Sequence, residues 1–324
     1  MFKKYPSMDN TYQIKSIERW KEFHPNLEEE EYIVLEKIHG TNFSIIFDPG
    51  STPYFASRNR VLEPEEDFFG LREVVLADDH NFLMDHFIRK ANDENMSWQV
   101  YGELFGPGVN KGVFYGKKRD FRLFDLRRDG FLLPHREFEA IMHSLNLEHY
   151  IAPSLGTFHG LKAALDVPVE GVSSLLTPEG YNEENVLEGI VIKPYRQILL
   201  SPVGYTFMLK KKTEKFQEVT KKAKTPKPSD EHPIVSALNQ RFSRYITDQR
   251  LQNVFSKEGV ISHKKEVSKY IQLLLEDAKE DFLKDEESLE MLQKLEGDPD
   301  FPKNELRKIY NVGSEPFKLL QPYL

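Results

Sequence analysis

The chain of 324 residues contains no cysteine. This absence excludes a disulfide framework, a thiol nucleophile, Cys-ligated zinc and iron–sulfur clusters. The sequence also lacks a Walker A phosphate loop, a Rossmann glycine fingerprint and a His-Glu-x-x-His metal motif. Any nucleotide chemistry in this protein must therefore use a different set of residues.

Long apolar runs are missing as well. No segment reaches the roughly 18 apolar residues that a membrane-spanning helix requires, and Met1 to Ser7 lacks the apolar core of a secretory signal. With 39% hydrophobic residues the chain can still bury a core, and its length predicts two domains. We therefore expect a soluble, cytoplasmic protein that has no membrane partner and acts as a monomer.

The charge is acidic on average and unevenly distributed. The formal net charge is −8, which argues against a protein whose whole surface is basic and binds nucleic acid. The segment from Lys210 to Pro228 nevertheless contains eight lysines and two glutamates. It closes with Lys224-Thr-Pro-Lys-Pro-Ser229, which cannot continue a helix or a central strand and is typical of a linker. We predict a first domain of residues 1–228 and a helical domain of residues 229–324.

Strand patterns dominate the first region and rarely alternate one-to-one with helices. Tyr32–Leu35 and Phe43–Phe47 are predicted strands on either side of a polar turn, and Tyr12–Phe23 is a predicted amphipathic helix. This order favours an α+β fold class, with antiparallel sheets, over a doubly wound fold. Further strands are predicted at Tyr54–Ser57, Ser97–Phe105, Phe121–Leu126, Gly189–Lys193 and Tyr205–Lys210. Helices are predicted after the linker at Val235–Ile246, Arg250–Phe255, Lys264–Leu283 and Lys303–Tyr310.

The turn between the first two strands concentrates polar residues, Glu36-Lys-Ile-His-Gly-Thr-Asn42. An isolated Lys-x-x-Gly is usually an ordinary hairpin turn, but a turn alone does not require Lys37, His39 and Asn42 together. A lysine amine attacks an electrophile only when it is deprotonated, which burial or neighbouring cations favour. Lys37 is therefore a candidate nucleophile whose role depends on what other segments supply.

Four later segments combine apolar strands with charged or aromatic residues. Taken alone, each has an ordinary structural explanation as a strand end, core packing, a charged edge strand or a surface cluster. Alternation places two lysines of the last segment on one face, where their charges suit a polyphosphate. The segments are Val100–Gly108 with Glu103, Phe121–Leu126 with Phe124, Glu188–Pro194 with Lys193, and Phe207–Phe216 with Lys210 and Lys212.

The order of these segments resembles the motif series of the covalent nucleotidyltransferases, the superfamily of polynucleotide ligases and mRNA capping enzymes. DNA ligases and capping enzymes usually carry Lys-x-Asp-Gly at the first motif. The Lys-Ile-His-Gly sequence at Lys37 instead resembles the second bacteriophage RNA ligase family and the trypanosome RNA-editing ligases. The likeness extends to Met1–Tyr5, Pro64–Gly70 and Phe105–Lys111, and it covers about residues 1–216.

The resemblance implies an ATP-dependent RNA ligase that seals 3′-OH/5′-phosphate breaks, with nicks in duplex RNA as the expected substrate and RNA repair as its role. Lys37 would attack the α-phosphate of ATP and become a lysyl–AMP. The AMP would pass to the 5′-phosphate of the RNA, and attack by the 3′-OH would expel it. By the same likeness, His39 acts in the RNA-dependent steps, Lys210 and Lys212 neutralise the α-phosphate, and the helical domain recognises the nick.

The resemblance also implies which residues bind the nucleotide and the metal. Phe124 would stack on adenine, with Asp125 following it in the motif. Glu103 and Glu188 would hold Mg²⁺, with Mn²⁺ as an alternative, largely through the waters of the metal. Lys193 would contact a phosphate. The other residues matched to the nucleotide site are Glu36, Ile38, Asn42 and Arg58, with Lys210 and Lys212 also contributing to it.

Three alternatives stay open at this point. A ligase acting on DNA or RNA/DNA hybrid nicks would use the same chemistry, although His39 in place of the usual aspartate favours RNA. A GTP-using capping enzyme normally carries an additional β-barrel domain, whereas the C-terminal region here has helical patterns. A non-catalytic nucleic-acid-binding protein would not need the intact set of motif residues.

Overall fold

The computed structural model describes residues 1–77, 80–219, 232–261, 263–297, 301 and 305–324. The chain divides into two compact units, Met1–Lys215 and Phe216–Leu324. The predicted domain boundary at residue 228 falls within residues 220–231, outside the described residues, so it stays a prediction. Among the described residues, no helix combines the length and the apolar character needed to cross a membrane.

In the described part of the first unit, ten strands form two five-stranded sheets. All strand pairs are antiparallel except β1 with β10, which is parallel. The first sheet has the order β1-β10-β9-β2-β8, and the second has the order β4-β3-β5-β6-β7. The strands are β1 (Asp9–Asn10), β2 (Glu31–Glu36), β3 (Thr41–Phe47), β4 (Tyr54–Ser57), β5 (Trp98–Phe105), β6 (Asp120–Arg128), β7 (Phe131–Leu132), β8 (Ser154–His159), β9 (Gly189–Pro194) and β10 (Leu209–Lys212).

Five helices cover the outer faces of these sheets because alternate strand residues are apolar there. Phe43 and Leu123 belong to the core of the second sheet, which also includes α3 and α4 residues. Tyr32 and Ile192 belong to the core of the first sheet, which also includes residues of α1 and α5. The helices are α1 (Ile14–Phe23), α2 (Leu71–Val75), α3 (Asn81–Glu94), α4 (His135–Ser144) and α5 (Leu161–Leu165), and short 3₁₀ turns occupy Glu148–Tyr150 and Glu214–Phe216.

The second unit is helical among its described residues. Its helices are α6 (Pro233–Ser243), α7 (Asp248–Glu258), α8 (Val267–Phe282), α9 (Glu286–Glu296), α10 (Leu306–Ile309) and α11 (Glu315–Leu320), with 3₁₀ turns at Lys264–Glu266 and Gln321–Tyr323. The sequence patterns did not predict α9 or α11. The predicted helix start at Lys303 falls within residues 302–304, which lie outside the described residues. Together the two units confirm the predicted α+β class with antiparallel sheets and a helical C-terminal region.

A buried arginine is the main polar feature of the helical unit. Arg250 is fully buried, and its guanidinium lies 2.5 Å from Asp277 Oδ2 and 2.9 Å from Asp281 Oδ2. It also lies 3.5 Å from Glu218 Oε2 and donates to the carbonyl of Tyr245 at 3.1 Å. Burial would lower the pKa of Arg250, but Glu218, Asp277 and Asp281 outweigh burial and raise it. The charge is therefore compensated inside the unit, as a buried ion requires.

The prediction of a strand at Tyr205–Lys210 is wrong in its start. The regular strand begins at Leu209, because the preceding residues form a turn instead. Ser201 N donates to Tyr205 O at 2.8 Å, and Gly204 supplies the positive φ of 85° that this turn uses. The strand also ends two residues later than predicted, at Lys212, so it includes Lys210, Lys211 and Lys212.

Candidate active site

The site lies between the two sheets of the first unit, on the faces turned away from the two cores. In β10, Leu209 belongs to the first core, so alternation turns Lys210 and Lys212 to the opposite face. In β3 and β5, Asn42 and Glu103 are directly paired and lie opposite the core face of Phe43. Polar residues of both sheets therefore meet between them.

The Lys37–Gly40 turn connects the sheets at this point. The Lys37 backbone N–H donates to Gly189 O at 2.9 Å, which fixes the turn to β9. A Cβ at Gly40 would lie 2.1 Å from Leu104 O and 3.0 Å from Glu103 Cγ. Only glycine allows this close approach, so the turn and the end of β5 are held against each other. Ile38, placed by resemblance in the nucleotide site, is buried in this turn.

Glu188 is the centre of the site. The Lys37 Nζ donates to both of its carboxylate oxygens, at 2.8 and 2.9 Å. Lys212 Nζ lies 2.9 Å from Oε1, and His39 Nδ1 lies 3.3 Å from Oε2. Only 2% of the Glu188 side chain is exposed, so one buried carboxylate brings together the predicted nucleophile and two other predicted catalytic residues.

The charges around Glu188 decide its ionisation. Burial on its own would raise the pKa of this carboxyl, but Lys212 and Lys37 beside it, with His39, hold the pKa well below its usual range. Glu188 is therefore ionised at neutral pH. The amine of Lys37 is placed as the counter-ion of a carboxylate, so its attack on an electrophile first requires that a proton leave.

The three lysines of β10 separate into two faces. Lys212 reaches Glu188, whereas the ammonium of Lys211 donates to the carbonyls of Leu165 and Val167, both at 2.9 Å. Lys210 pairs with Val191 in the antiparallel register and shares the face of Lys212. The register therefore turns the predicted pair, and not Lys211, towards the space between the sheets.

Glu103 is a second carboxyl near this cluster. Burial raises its pKa to about 8, and Glu188 adds to this, while Lys37 and Arg58 act in the opposite direction. Arg58 donates from Nη2 to Pro6 O at 3.4 Å. The carboxyl thus lies in a desolvated position within electrostatic range of the Glu188 cluster, where a bound cation would favour its ionised form.

Phe124 and Asp125 form the other end of the cleft. Asp125 Oδ1 accepts from Lys193 Nζ at 2.7 Å, and Asp125 Oδ2 accepts from the Tyr5 hydroxyl at 2.5 Å. Lys193 Nζ also donates to Phe124 O at 2.9 Å. The Tyr5 ring packs edge-on against the Phe124 ring at 5.0 Å between centroids. These contacts fix the aromatic residue that was expected to stack on a base.

Lys193, which was expected to contact a phosphate, is held in an ion pair with Asp125. Its side chain is only 4% exposed, and its Nζ lies 2.7 Å from Asp125 Oδ1. Burial lowers the pKa of Lys193, and Asp125 opposes this shift. Lys193 therefore holds the Asp125 side chain and the Phe124 backbone in place, and its contact with a phosphate stays a prediction.

Glu36 lies at the end of β2 and has both carboxylate oxygens occupied. Ser174 Oγ donates at 2.6 Å and the Leu175 backbone N–H donates at 2.7 Å. Burial raises the pKa of Glu36 in spite of these two hydrogen bonds. This predicted nucleotide-site residue therefore also anchors the loop that leads to β9.

Sequence patterns gave no role to several residues that complete the site. Tyr5 belongs to a segment noted only for its likeness to ligases, and Ser174 and Asn185 lie in a loop without a motif. Tyr115 accepts a hydrogen bond from the backbone N–H of His39 at 2.8 Å. No periodicity marks these residues because each is defined by a partner distant in sequence.

The donor set fits a hydrated divalent cation better than a cage made only of protein ligands. Among the described residues, no group of three or more His, Asp or Glu side chains could hold a metal ion. Mg²⁺ commonly uses one or two carboxylates together with phosphate oxygens and water. The two carboxylates predicted to hold the metal, Glu103 and Glu188, lie within electrostatic range of each other and match that number.

Two sheets that enclose a lysine-containing turn, together with the ordered motifs, define a protein of the nucleotidyltransferase class. The model of the family described as RNA ligase matches residues 30–212, and the model described as T4 RNA ligase 2 C-terminal matches residues 229–310. The chain therefore belongs to the RNA ligase family, of the T4 RNA ligase 2 type. This confirms the predicted family and the predicted enzyme class, an ATP-dependent RNA ligase.

Individual proteins agree with this assignment. The chain is 26% identical to mitochondrial RNA-editing ligase 2 of Trypanosoma brucei brucei, covering 89% of this chain and 84% of the relative. It is also 26% identical to mitochondrial RNA-editing ligase 1 of the same organism, covering 80% of this chain and 71% of the relative.

Solved structures of Naegleria gruberi RNA ligase resemble part of the chain. Two variants of that enzyme with ATP and Mn are 18% and 17% identical, with TM-scores of 0.46 and 0.48. In both comparisons the similarity covers 66% of this chain and 57% of the Naegleria chain. The chain thus spans little more than half the length of those proteins.

Proposed function

We propose that this RNA ligase seals 3′-OH/5′-phosphate nicks in duplex RNA, and so repairs RNA, through a lysyl–AMP at Lys37 and an AMP-capped 5′-phosphate RNA. The observation that carries the proposal is the cluster at Glu188, which holds Lys37, Lys212 and His39 within 3.3 Å of one carboxylate. Nucleotidyl transfer depends mainly on positioning and charge neutralisation, and this cluster supplies both.

Lys37 is the nucleophile in this proposal. Its side chain is 19% exposed, so it can meet a ligand, while its backbone is fixed to Gly189 O. When the Lys37 amine bonds to the α-phosphorus, the bond to the β-phosphate bridging oxygen breaks and pyrophosphate leaves. The Lys37 ammonium releases one proton to solvent before the attack, and the nitrogen releases a second to solvent as the bond to phosphorus forms, while Glu188 accepts hydrogen bonds from the amine.

Lys210 and Lys212 supply positive charge beside the attacking amine. Both lie on the face of β10 turned towards the cleft, and Lys212 shares Glu188 with Lys37. Lysine acts on phosphates as a compact point charge. Their proposed role is to neutralise the α-phosphate as charge develops on its oxygens.

The base end of the cleft is proposed to hold adenine. Phe124 offers a ring fixed by Tyr5, and the Lys193–Asp125 ion pair supports it from behind. Asn42, in β3, and Arg58, directly after β4, are proposed to line the same cleft. Glu103 and Glu188 are the residues proposed to hold a divalent cation, which supplies charge neutralisation at the phosphates when bound.

The first experiment tests whether the covalent lysyl–AMP forms. The protein is incubated with Mg²⁺ and labelled ATP or GTP, and protein-bound label is followed after denaturation. We expect an acid-labile AMP adduct that is lost in Lys37→Ala. An adduct formed from GTP, or the absence of an adduct with ATP, would contradict the proposal.

The second experiment identifies the substrate. Nicked duplexes with RNA, mixed or DNA strands are compared at equal concentration, and sealed product is measured on denaturing gels. We expect the highest kcat/KM when the strands at the nick are RNA, because recognition of RNA rests on 2′-OH contacts. Preference for an all-DNA nick would instead support the alternative of a DNA or hybrid ligase.

A further inference from the structure

Tyr115 connects the Lys37–Gly40 turn to a loop that carries none of the ligase motifs. Its hydroxyl oxygen accepts from His39 N at 2.8 Å, and its ring packs against Phe105 at 4.7 Å between centroids. Only 8% of the residue is exposed. A backbone N–H at this buried place would have to find another acceptor if the phenol were absent.

The loop around Tyr115 is itself clamped. The buried Asn185 accepts from Phe114 N and donates to Phe114 O, both at 2.8 Å. These two hydrogen bonds fix the backbone of Phe114, the residue immediately before Tyr115. Asn185 lies three residues before Glu188, so the clamp ties the loop to the start of β9.

The contacts close a ring around His39. Its backbone is held by Tyr115, Tyr115 is held through Phe114 by Asn185, and Asn185 leads along the chain to Glu188. Glu188 Oε2 then lies 3.3 Å from His39 Nδ1. The position of the imidazole is thus defined from both sides, by its backbone and by its ring.

The Tyr115 phenol stays neutral and can therefore act as a lasting hydrogen-bond acceptor for His39 N. Burial first, and then the charge of Glu36, raise the pKa of Tyr115 well above its ordinary value. Glu188 and Glu103 act in the same direction. The phenol is therefore neutral at working pH, and it functions as a hydrogen-bonding group, not as a base or nucleophile.

We propose that Tyr115 is a positioning residue that holds His39 against Glu188 and is required for joining the RNA ends more than for forming lysyl–AMP. The inference rests on the proposed function, in which His39 serves the RNA-dependent steps. Lys37 has its own backbone anchor at Gly189 O, 2.9 Å away, so loss of the Tyr115 contact affects it less.

The test replaces Tyr115 by phenylalanine, which keeps the ring on Phe105 and removes only the hydroxyl. Two rate constants are measured: lysyl–AMP formation with ATP, and sealing of a nicked RNA whose 5′-phosphate already carries AMP. We expect Tyr115→Phe to slow sealing about 10-fold, the size expected for an unsatisfied buried N–H, and to leave lysyl–AMP formation within about 3-fold of wild type. Tyr32→Phe is the control, because it also removes a buried phenol hydroxyl that is hydrogen-bonded to the backbone. The Tyr32 hydroxyl donates to Leu27 O at 2.8 Å and lies on the core face of β2.

A double-mutant cycle separates positioning from general support of the fold. If Tyr115 acts through His39, Tyr115→Phe in a His39→Ala background should slow sealing no further. Equal loss in both steps, additive effects in the cycle, or a similar loss in Tyr32→Phe would overturn the inference while leaving the proposed function intact. Failure of the wild type to form lysyl–AMP would overturn the proposed function and this inference together.

Discussion

Glu103 should make the first unit less stable as pH rises. Its folded-state pKa is raised from 4.5 to about 8 by burial and by Glu188, so between these values the folded state binds a proton that the unfolded state has released. The contribution of this proton to the free energy of unfolding is therefore fully present below about pH 4.5 and is lost as the pH rises through 8. Glu103→Gln keeps the shape of the neutral acid and should abolish this loss.

The magnitude follows from the linkage of one proton. One pKa unit corresponds to about 1.4 kcal/mol, so the full shift sets an upper limit of about 5 kcal/mol. The Glu103 side chain keeps some contact with solvent, which screens this effect, so we expect about 2–3 kcal/mol. Glu103→Gln should therefore match wild type near pH 5 and exceed it by that amount near pH 9.

The assay is urea unfolding followed by tryptophan fluorescence across that pH range. The two tryptophans of the chain, Trp20 and Trp98, both lie in the first unit, so the signal reports this unit and not the helical one. Glu65→Gln, at an exposed glutamate, is the control. A stability difference between wild type and Glu103→Gln that does not change with pH would refute the reasoning.

Three further predictions concern single side chains. Lys212→Ala should slow lysyl–AMP formation at least about 100-fold, because it removes a positive charge next to Lys37. Lys211→Ala should change the rate less than about 3-fold. Equal effects of the two variants in a labelled-ATP assay would contradict the β10 register that turns Lys212 towards Glu188. Gly40→Ala should destabilise the first unit or displace Lys37, since the added Cβ would lie 2.1 Å from Leu104 O, and a variant with wild-type fluorescence unfolding and adenylylation would contradict this. Arg250→Met should cost the helical unit about 3 kcal/mol, because it removes the ion-pair partner of the partly buried Asp281 and leaves Asp277 with Lys257 alone. The measurement is the helical circular-dichroism transition, with Arg19→Met as the control, and an unchanged transition would count against the ion pairs of Arg250.

The sequence predicted much of the fold where periodicity was strong. The strands on either side of Lys37 appear as expected, and the helix predicted at Tyr12–Phe23 is found at Ile14–Phe23, because apolar residues alternate or recur on one face. The edge strand Ser154–His159 was missed, since it pairs on one side only and its residues are exposed or half-buried. A strand without an apolar face gives no alternating signal.

The candidate site was predictable as a set of residues and not as a geometry. Motif order named Lys37, Glu188 and Lys212, but not that one carboxylate holds both amines. The partner of Lys193 was missed because an ion pair with Asp125 depends on how two sheets face each other. Tyr115 could not be found, since its role comes from a single backbone bond to His39.

The central claim is that Lys37 forms the covalent link to AMP. Peptide-level mass spectrometry of protein treated with ATP and Mg²⁺ tests it most directly, with Lys37→Ala and Lys211→Ala treated in parallel. We expect one AMP group on the peptide containing Lys37, present in wild type and Lys211→Ala and absent from Lys37→Ala. An AMP group on a different lysine, or an adduct that survives in Lys37→Ala, would contradict it.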